Sequence, residues 1–338
     1  MTNTADFTNL VETVVSDLLD SGNIFSAYTS VTELDLEEIL TDLTGSTIND
    51  LATDVSNAGV DANTISEFEG VFSDFSGTID DLLSDVSFDF SLINYQSGNN
   101  TLTGDINNNI IVSIDTVNSS LSGDDGADVL VTIGEANNTA SGGNDGDFIA
   151  NLGTGNNTLS GNSGEDMIVN IGTGNNTLNG GNGADLLVNV GTGNNTLNGG
   201  NGADILINYG SDAALNGGNS NDILIGGSGE DTLTGGNGND ILTGGEGADT
   251  FQFSAVNIDV DFGFFSIDQT IVLSGNDTIT DFNSDEDIIE IDITNIGGQL
   301  STSDLSFNSS TRQLSLDGNV IATLDGVTNF DVNDVQLI

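Results

Sequence analysis

Gly226-Gly227-Ser228-Gly229-Glu230-Asp231-Thr232-Leu233-Thr234, Gly235-Gly236-Asn237-Gly238-Asn239-Asp240-Ile241-Leu242-Thr243 and Gly244-Gly245-Glu246-Gly247-Ala248-Asp249-Thr250-Phe251-Gln252 are three consecutive copies of one pattern, Gly-Gly-x-Gly-x-Asp-x-apolar-x. Its logic is local. The glycines permit the positive φ angles of a tight turn and leave backbone carbonyls open, the Asp supplies a charged oxygen, and the apolar residue starts a short inward-facing strand. One copy cannot bury that residue alone, so copies must stack as coils, with neighbouring strands about 4.8 Å apart. A fixed short period of this kind predicts a mainly β chain built as a right-handed parallel β-roll, a form of β-solenoid.

Working outward, the pattern recurs without departure at 180–188 and 199–207, and in degenerate form from Gly104, Gly123, Gly142, Gly161 and Gly217. The starts at 104, 123, 142, 161, 180 and 199 are 19 residues apart, followed by a step of 18 to 217 and steps of 9 to 226, 235 and 244. Each 19-residue unit pairs an Asp half-turn such as 180–188 with a second half-turn such as 190–198, where Asn195 holds the Asp position. This arrangement predicts a column of metal ligands through Asp128, Asp147, Asp166, Asp185, Asp204, Asp222 and Asp240, with Asp231 and Asp249 as a short column opposite. Gly180, Asn182, Gly199, Asn201, Gly217, Asn219, Gly226, Ser228, Gly235 and Asn237 are the loop positions expected to complete the sites. Pairing each loop with the next on its own side gives about seven ions. The other side of the 19-residue units carries Asn100, Ser119, Asn138, Asn157, Asn176 and Asn195 in register, the pattern of a side-chain amide ladder without metal.

Composition names the ion. There are 53 acidic residues against one basic residue, Arg312, with no histidine and no cysteine, and the formal charge is -52. Thiolate and imidazole sites are impossible, so hard oxygen ligands remain and Ca2+ is the fitting cation. Such a charge excludes binding to a phosphate backbone, and no stretch is apolar for long enough to insert in a membrane. In metal-free protein, stacked carboxylates should repel and the array should unfold.

Three segments are expected. Residues 1–92 lack the repeat and show apolar residues at helical spacing, such as Leu10, Val14 and Leu18, with capping-box pairs Ser30/Glu33 and Thr64/Glu67. This reads as a small all-α acidic domain suited to assembly or attachment. Residues 93–252 are the roll, and residues 253–338 turn to alternating strands, for example 287–293, 313–316 and 320–324, that cap its open end. Met1 to Leu10 has no basic stretch followed by an apolar run, so an ordinary signal peptide is not expected there.

The residues after Asp128, Asp147, Asp166, Asp185 and Asp204 are apolar on both faces of the coming strand. If Leu130, Ile149, Ile168, Leu187 and Leu206 face the core, then Val129, Val131 and Ile133, with Phe148, Ala150 and Leu152, Met167, Val169 and Ile171, Leu186, Val188 and Val190, and Ile205, Ile207 and Tyr209 in the coils that follow, form an outward apolar face. Such a face is turned inward by the extra residue of the coil, covered by the helical segment, or used for self-association, including head-to-tail filament growth.

The tandem 217–252 with Ala248-Asp249-Thr250-Phe251, then Asn276-Asp277-Thr278-Ile279-Thr280-Asp281-Phe282 and Asp287-Ile288-Ile289, resembles the RTX (repeats-in-toxin) repeat and C-terminal domain of serralysin-type and cyanobacterial RTX proteins. The resemblance implies a calcium-binding β-roll, a C-terminal cap carrying an uncleaved type I secretion signal, and folding on export into calcium. Serralysins carry a His-Glu-x-x-His zinc helix, which a chain without histidine cannot have, and the acylated lysines of pore-forming RTX toxins have no counterpart in a chain without lysine. The expected function is therefore a secreted, non-enzymatic structural protein, self-associating into a calcium-dependent surface layer, matrix or filament at the cell surface or beyond it. A first alternative is an adhesin binding ice or a surface glycan, because 153–157, 172–176 and 191–195 are similar to repeats of calcium-dependent ice-binding adhesin domains, although Asn157, Asn176 and Asn195 replace their Asp. A second is a secreted enzyme, for which no carboxylate pair stands out.

Overall fold

The computed structural model describes residues 89–94, 100–115, 117–261, 266–273, 275–294 and 300–338. The expected helical stripes and capping boxes of residues 1–88 lie outside them. Contacts divide the chain into Met1–Asp89 and Phe90–Ile338, and it is the second unit whose architecture follows.

Alternation along each short strand decides how the coils stack. In Thr177–Asn182 the side chains of Leu178 and the backbone of Gly180 turn inward, and Leu178 is in register with Leu159 on one side and Leu197 on the other. In Leu186–Asn189 the inward residue is Leu187, in register with Ile168 and Leu206. Each coil thus places one apolar residue from each of two parallel sheets in a single continuous core, a Leu or Ile at most levels, with Ala140 and Phe251 as the exceptions from Leu121 to Phe251. Among the described residues one sheet has 13 strands and the other 12, and from Asp89–Asn94 to Thr250–Asp261 successive strands of the chain alternate between the two. The offset between partners is 19 residues from Leu121 to Leu197 and 18 from Leu197 to Leu233, as the motif spacing requires. The solenoid expected from the repeat is the fold.

Because identical residues stack at one level, a single truncation removes a layer. Leu187→Ala, at a fully buried position, is expected to cost about 2–5 kcal/mol in calcium, read as a fall in the denaturation midpoint. A change below 1 kcal/mol would contradict this packing.

The strands that follow the Asp half-turns depart from simple alternation. Phe148–Asn151, Met167–Asn170, Leu186–Asn189 and Ile205–Asn208 are buried at all four positions. Ile149, Ile168, Leu187 and Leu206 belong to the core, while Phe148, Met167, Leu186 and Ile205 lie on the opposite strand face and are buried as well. Further along the same face Ala150, Val169, Val188 and Ile207 are buried and Val131, Ile133, Leu152, Ile171, Val190 and Tyr209 are half-buried, so the expected face is largely covered; among the described residues the exposed large hydrophobics are Ile106 and Ile338.

The sheets do not stop where the repeat does. Thr250–Asp261 continues one sheet through Phe251, then leaves it as an antiparallel hairpin with Ser266–Leu273. After the hairpin, Asp277–Ile279 rejoins the other sheet in parallel with Ile241–Glu246, and Ile288–Asp292 pairs in parallel with Thr250–Asp261. An antiparallel meander, Leu305–Asn308, Gln313–Leu316 and Asn319–Leu324, ends the first sheet and Val335–Leu337 ends the second. Larger side chains fill this end: Phe251 packs on Phe282, Phe282 on Phe330 and Phe330 on Phe307. Arg312 is paired with Asp325 on the same cap.

Candidate calcium-binding edges

The two edges of the roll, where the chain passes from one sheet to the other, have different chemistry. On the first edge the motif Asp of each coil is buried, and its Oδ1 accepts the backbone N–H of the corresponding residue in the preceding coil. This series runs unbroken from Asn109 N–H to Asp128 (2.7 Å), then through Asp147, Asp166, Asp185, Asp204, Asp222 and Asp240 to Asp277 (3.0 Å for the last). On the second edge, the N–H of Ala213 donates to Asp231, that of Asp231 to Asp249, and that of Asp249 to Asp287. The expected long column and short opposite column are thus placed as the sequence suggests, and each is longer by one residue.

What these carboxylates lack is equally regular. Oδ2 of Asp128, Asp147, Asp166, Asp185, Asp204, Asp222, Asp231, Asp240, Asp249 and Asp277 is buried without a hydrogen-bond partner. A buried carboxylate oxygen with no donor is costly unless a cation or a proton reaches it. Burial accordingly pushes these groups far above the usual carboxylate range, against the opposing pull of the backbone hydrogen bonds: Asp147 and Asp222 to about 9, Asp185 and Asp231 to about 8, Asp128, Asp166, Asp204 and Asp277 to about 7, Asp240 and Asp249 to about 6. No basic side chain answers them, since Arg312 is engaged in the cap.

The glycines make the edge possible. A Cβ on Gly180 would run into Oδ2 of Asp185 and the carbonyl of Gly199 from the next coil, so the first motif position needs glycine for space. The second and fourth need it for conformation, as Gly181 (φ 124°) and Gly183 (φ 129°) show. Asn182, Asn201, Asn219 and Asn237 point to solvent and form an external ladder, with amide-to-carbonyl distances of 2.6–2.8 Å. Ser228 is also exposed and donates to the carbonyl of Gly210. These five side chains are not brought to the Asp oxygens, so their contribution to a metal site would come from the main chain, as for Gly199, Gly217, Gly226 and Gly235.

Among the described residues no three acidic side chains converge on one point. An ion held here would take carboxylate oxygens from the Asp series and its remaining ligands from loop carbonyls, an all-oxygen set that fits Ca2+. The buried, partnerless oxygens of stacked loops are the observation that fits the ion. When bound, calcium supplies positive charge between coils and links one turn to the next.

The family model described as RTX calcium-binding nonapeptide repeat (4 copies) matches residues 150–169, 172–189, 187–208 and 216–251. The chain carries an RTX β-roll. RTX repeats bind calcium and occur in secreted proteins; among the described residues no helix is long and apolar enough to cross a membrane. Comparison with curated proteins gives no match. The geometry carries the RTX roll past both ends of the matched segments, to Asn109 and Asp128 before them and to Asp277 and Asp287 after them.

Two groups of residues escaped the sequence reading. Asp277 completes the first column because Gly275-Asn276-Asp277-Thr278-Ile279 repeats the end of Gly238-Asn239-Asp240-Ile241-Leu242, and the Asn276 N–H stacks on the Asn239 side chain. The signal was present but the intervening hairpin broke the period. The second group is the row Thr132, Asn151, Asn170, Asn189 and Asn208, of which the first four are the extra residues of 19-residue coils and Asn208 continues the row into the first 18-residue coil. All five are fully buried.

Proposed function

We propose that the chain is a secreted calcium-binding structural protein, a subunit of an extracellular layer, matrix or filament whose roll becomes a rigid spacer when calcium staples its coils. The observation that carries this reading is the two rows of partnerless, buried Asp oxygens, eight on the first edge and two on the second: the unusual chemistry of the described residues is spent inside the stack, on holding turn to turn, and not at a cleft where a substrate could be turned over. Parallel coils in register also repeat the same polar surface along one axis, which suits docking of further copies. The test is electron microscopy with light scattering of the purified protein in calcium and in chelator. Ordered assemblies that form in calcium and disperse in chelator are expected; monodisperse monomers at high concentration in calcium would overturn the assembly reading.

The second reading, a calcium-dependent adhesin, is favoured by one feature. Thr154, Thr173 and Thr192 are exposed and lie one above another in successive coils, although Glu135 interrupts the row. Thermal hysteresis, or retention on insoluble glycan, that is lost in Thr173→Leu would move the function to this side of the roll.

A further inference from the structure

The second edge of the 19-residue coils turns through a loop with one positive-φ glycine, such as Gly193, where the first has two, Gly181 and Gly183, and it contains no buried side-chain oxygen without a partner. Its Asn138, Asn157, Asn176 and Asn195 use Oδ1 as the Asp residues do, accepting the backbone N–H of the preceding coil at 2.7–2.9 Å. The other side-chain atom differs. Where Asp has Oδ2 with nothing to bind, Asn has an N–H2 group that donates to its own loop: Asn195 to the carbonyls of Gly191 (3.2 Å) and Gly193 (2.9 Å), Asn176 to Gly174 (3.0 Å), Asn157 to Gly155 (3.1 Å).

The inserted asparagines repeat the device one layer further in. Asn151 Nδ2 donates to Asn170 Oδ1 at 2.7 Å, Asn170 to Asn189 at 2.6 Å and Asn189 to Asn208 at 2.6 Å, with Thr132 Oγ1 donating to Asn151 at the head of the row. The row ends where the coil length falls to 18. There Asn208 Nδ2 faces the carbonyls of Ser211 (2.8 Å) and Gly226 (2.9 Å), with Asp231 Oδ1 at 3.5 Å. Three oxygens around one donor are the surroundings of a cation, filled here by an amide.

We propose that the asparagine edge is a built-in substitute for the ion column, in which side-chain N–H2 groups stand where calcium stands on the Asp edge, and that Asn208 is the plug that fixes where the second calcium column begins. Asn208 belongs to the first 18-residue coil, 199–216, and continues into it the row of Asn151, Asn170 and Asn189; it follows Ile207 as Gly226 follows Ile225, the register partner in the next coil, and once that glycine takes its place the second edge turns to Asp231 and Asp249. This inference rests on calcium binding at the Asp edge.

The test is a pair of reciprocal single-atom exchanges in the full chain. Asn208→Asp keeps the Oδ1 contacts to Asn189 and Gly210 but replaces the donor by a fourth oxygen. It should gain one bound calcium per chain over the wild type by equilibrium dialysis with elemental analysis, and should need more calcium to fold. Asp185→Asn should do the opposite, folding in calcium with fewer bound ions and at a lower calcium midpoint. An Asn208→Asp chain that folds with an unchanged ion count, or that stays unfolded in saturating calcium, overturns the proposal. A wild-type chain that binds no calcium overturns instead the functional reading beneath it, so the two failures are distinguishable.

Discussion

Moving the protein from millimolar calcium into chelator near neutral pH is expected to abolish the β signal of the roll in far-ultraviolet circular dichroism and to make the amides of residues 101–251 exchange rapidly. The reason lies in the spacing of the charges. Consecutive Asp residues on the first edge are joined by backbone-to-carboxylate hydrogen bonds of about 2.8 Å, so their carboxylates are stacked coil upon coil in a buried setting, with no cationic side chain in reach. Ionised and without a counter-ion they oppose the core at every level of the stack. Each calcium site filled at a hundredfold excess over its dissociation constant stabilises the folded state by about 2.7 kcal/mol. Two such sites match the ~5 kcal/mol at the lower end of ordinary net stability, and the roll has many more loops than two. Loss of calcium should therefore be global for the roll, and cooperative. A chelated protein that keeps its full β signal and slow exchange would mean that the core alone carries the stack, and that the ions are ornaments on a finished fold. Adding calcium back should restore the signal, with a steep dependence on its concentration because each ion orders the loop that its neighbour shares.

The parts of this molecule that could be read from sequence are those encoded by repetition. The nine-residue period gave the solenoid, and the change from 19 to 18 to 9 residues between starts gave the coil register later seen at Leu178, Leu197, Leu215 and Leu233. In-register Asp and Asn separated the two edges because position in a repeat fixes position in a coil. Asp277 was hidden by an interruption: the hairpin Thr250–Asp261 with Ser266–Leu273 separates it from Asp240 by 37 residues, twice the usual step. The role of Asn151, Asn170, Asn189 and Asn208 was hidden for another reason. An extra residue in a coil announces a shift of phase, but whether its side chain is expelled or buried depends on donors and acceptors supplied by neighbouring turns, which no single repeat contains. Periodicity likewise assigned Phe148, Met167, Leu186 and Ile205 to the strand face opposite the core. It tells which residues share a face and not whether that face meets solvent, and these four are buried.

Acid should do for the calcium-free protein part of what calcium does. The ten Asp residues of the two edges that have a partnerless oxygen have folded-state values raised from 3.8 to between about 6 and about 9. A raised carboxylate means that the folded state binds protons more tightly than the unfolded chain, so lowering the pH favours folding. The contribution is complete below the unfolded value near 3.8 and is lost as pH rises through the range from about 6 to about 9. The chemistry explains the sign. A protonated Oδ2 becomes a donor, and so resembles the amide that Asn157, Asn176 and Asn195 already present to their loop carbonyls. Calcium, a proton and an asparagine are three answers to the same missing positive charge. In chelator, the β signal absent near pH 8 is therefore expected to return by about pH 5.5, still above the isoelectric point of 4.1 where a weakly charged chain would precipitate. In the same interval the calcium needed for half-maximal binding should rise as the pH falls, because ion and proton compete for one oxygen, even as less calcium is needed for folding. Asp185→Asn, which carries its donor at every pH, should shorten the acid-sensitive series by one and shift the chelator midpoint to higher pH. A metal-free chain equally unfolded at pH 5.5 and pH 8, in solution and without aggregation, would refute the link between those buried oxygens and the stability of the stack.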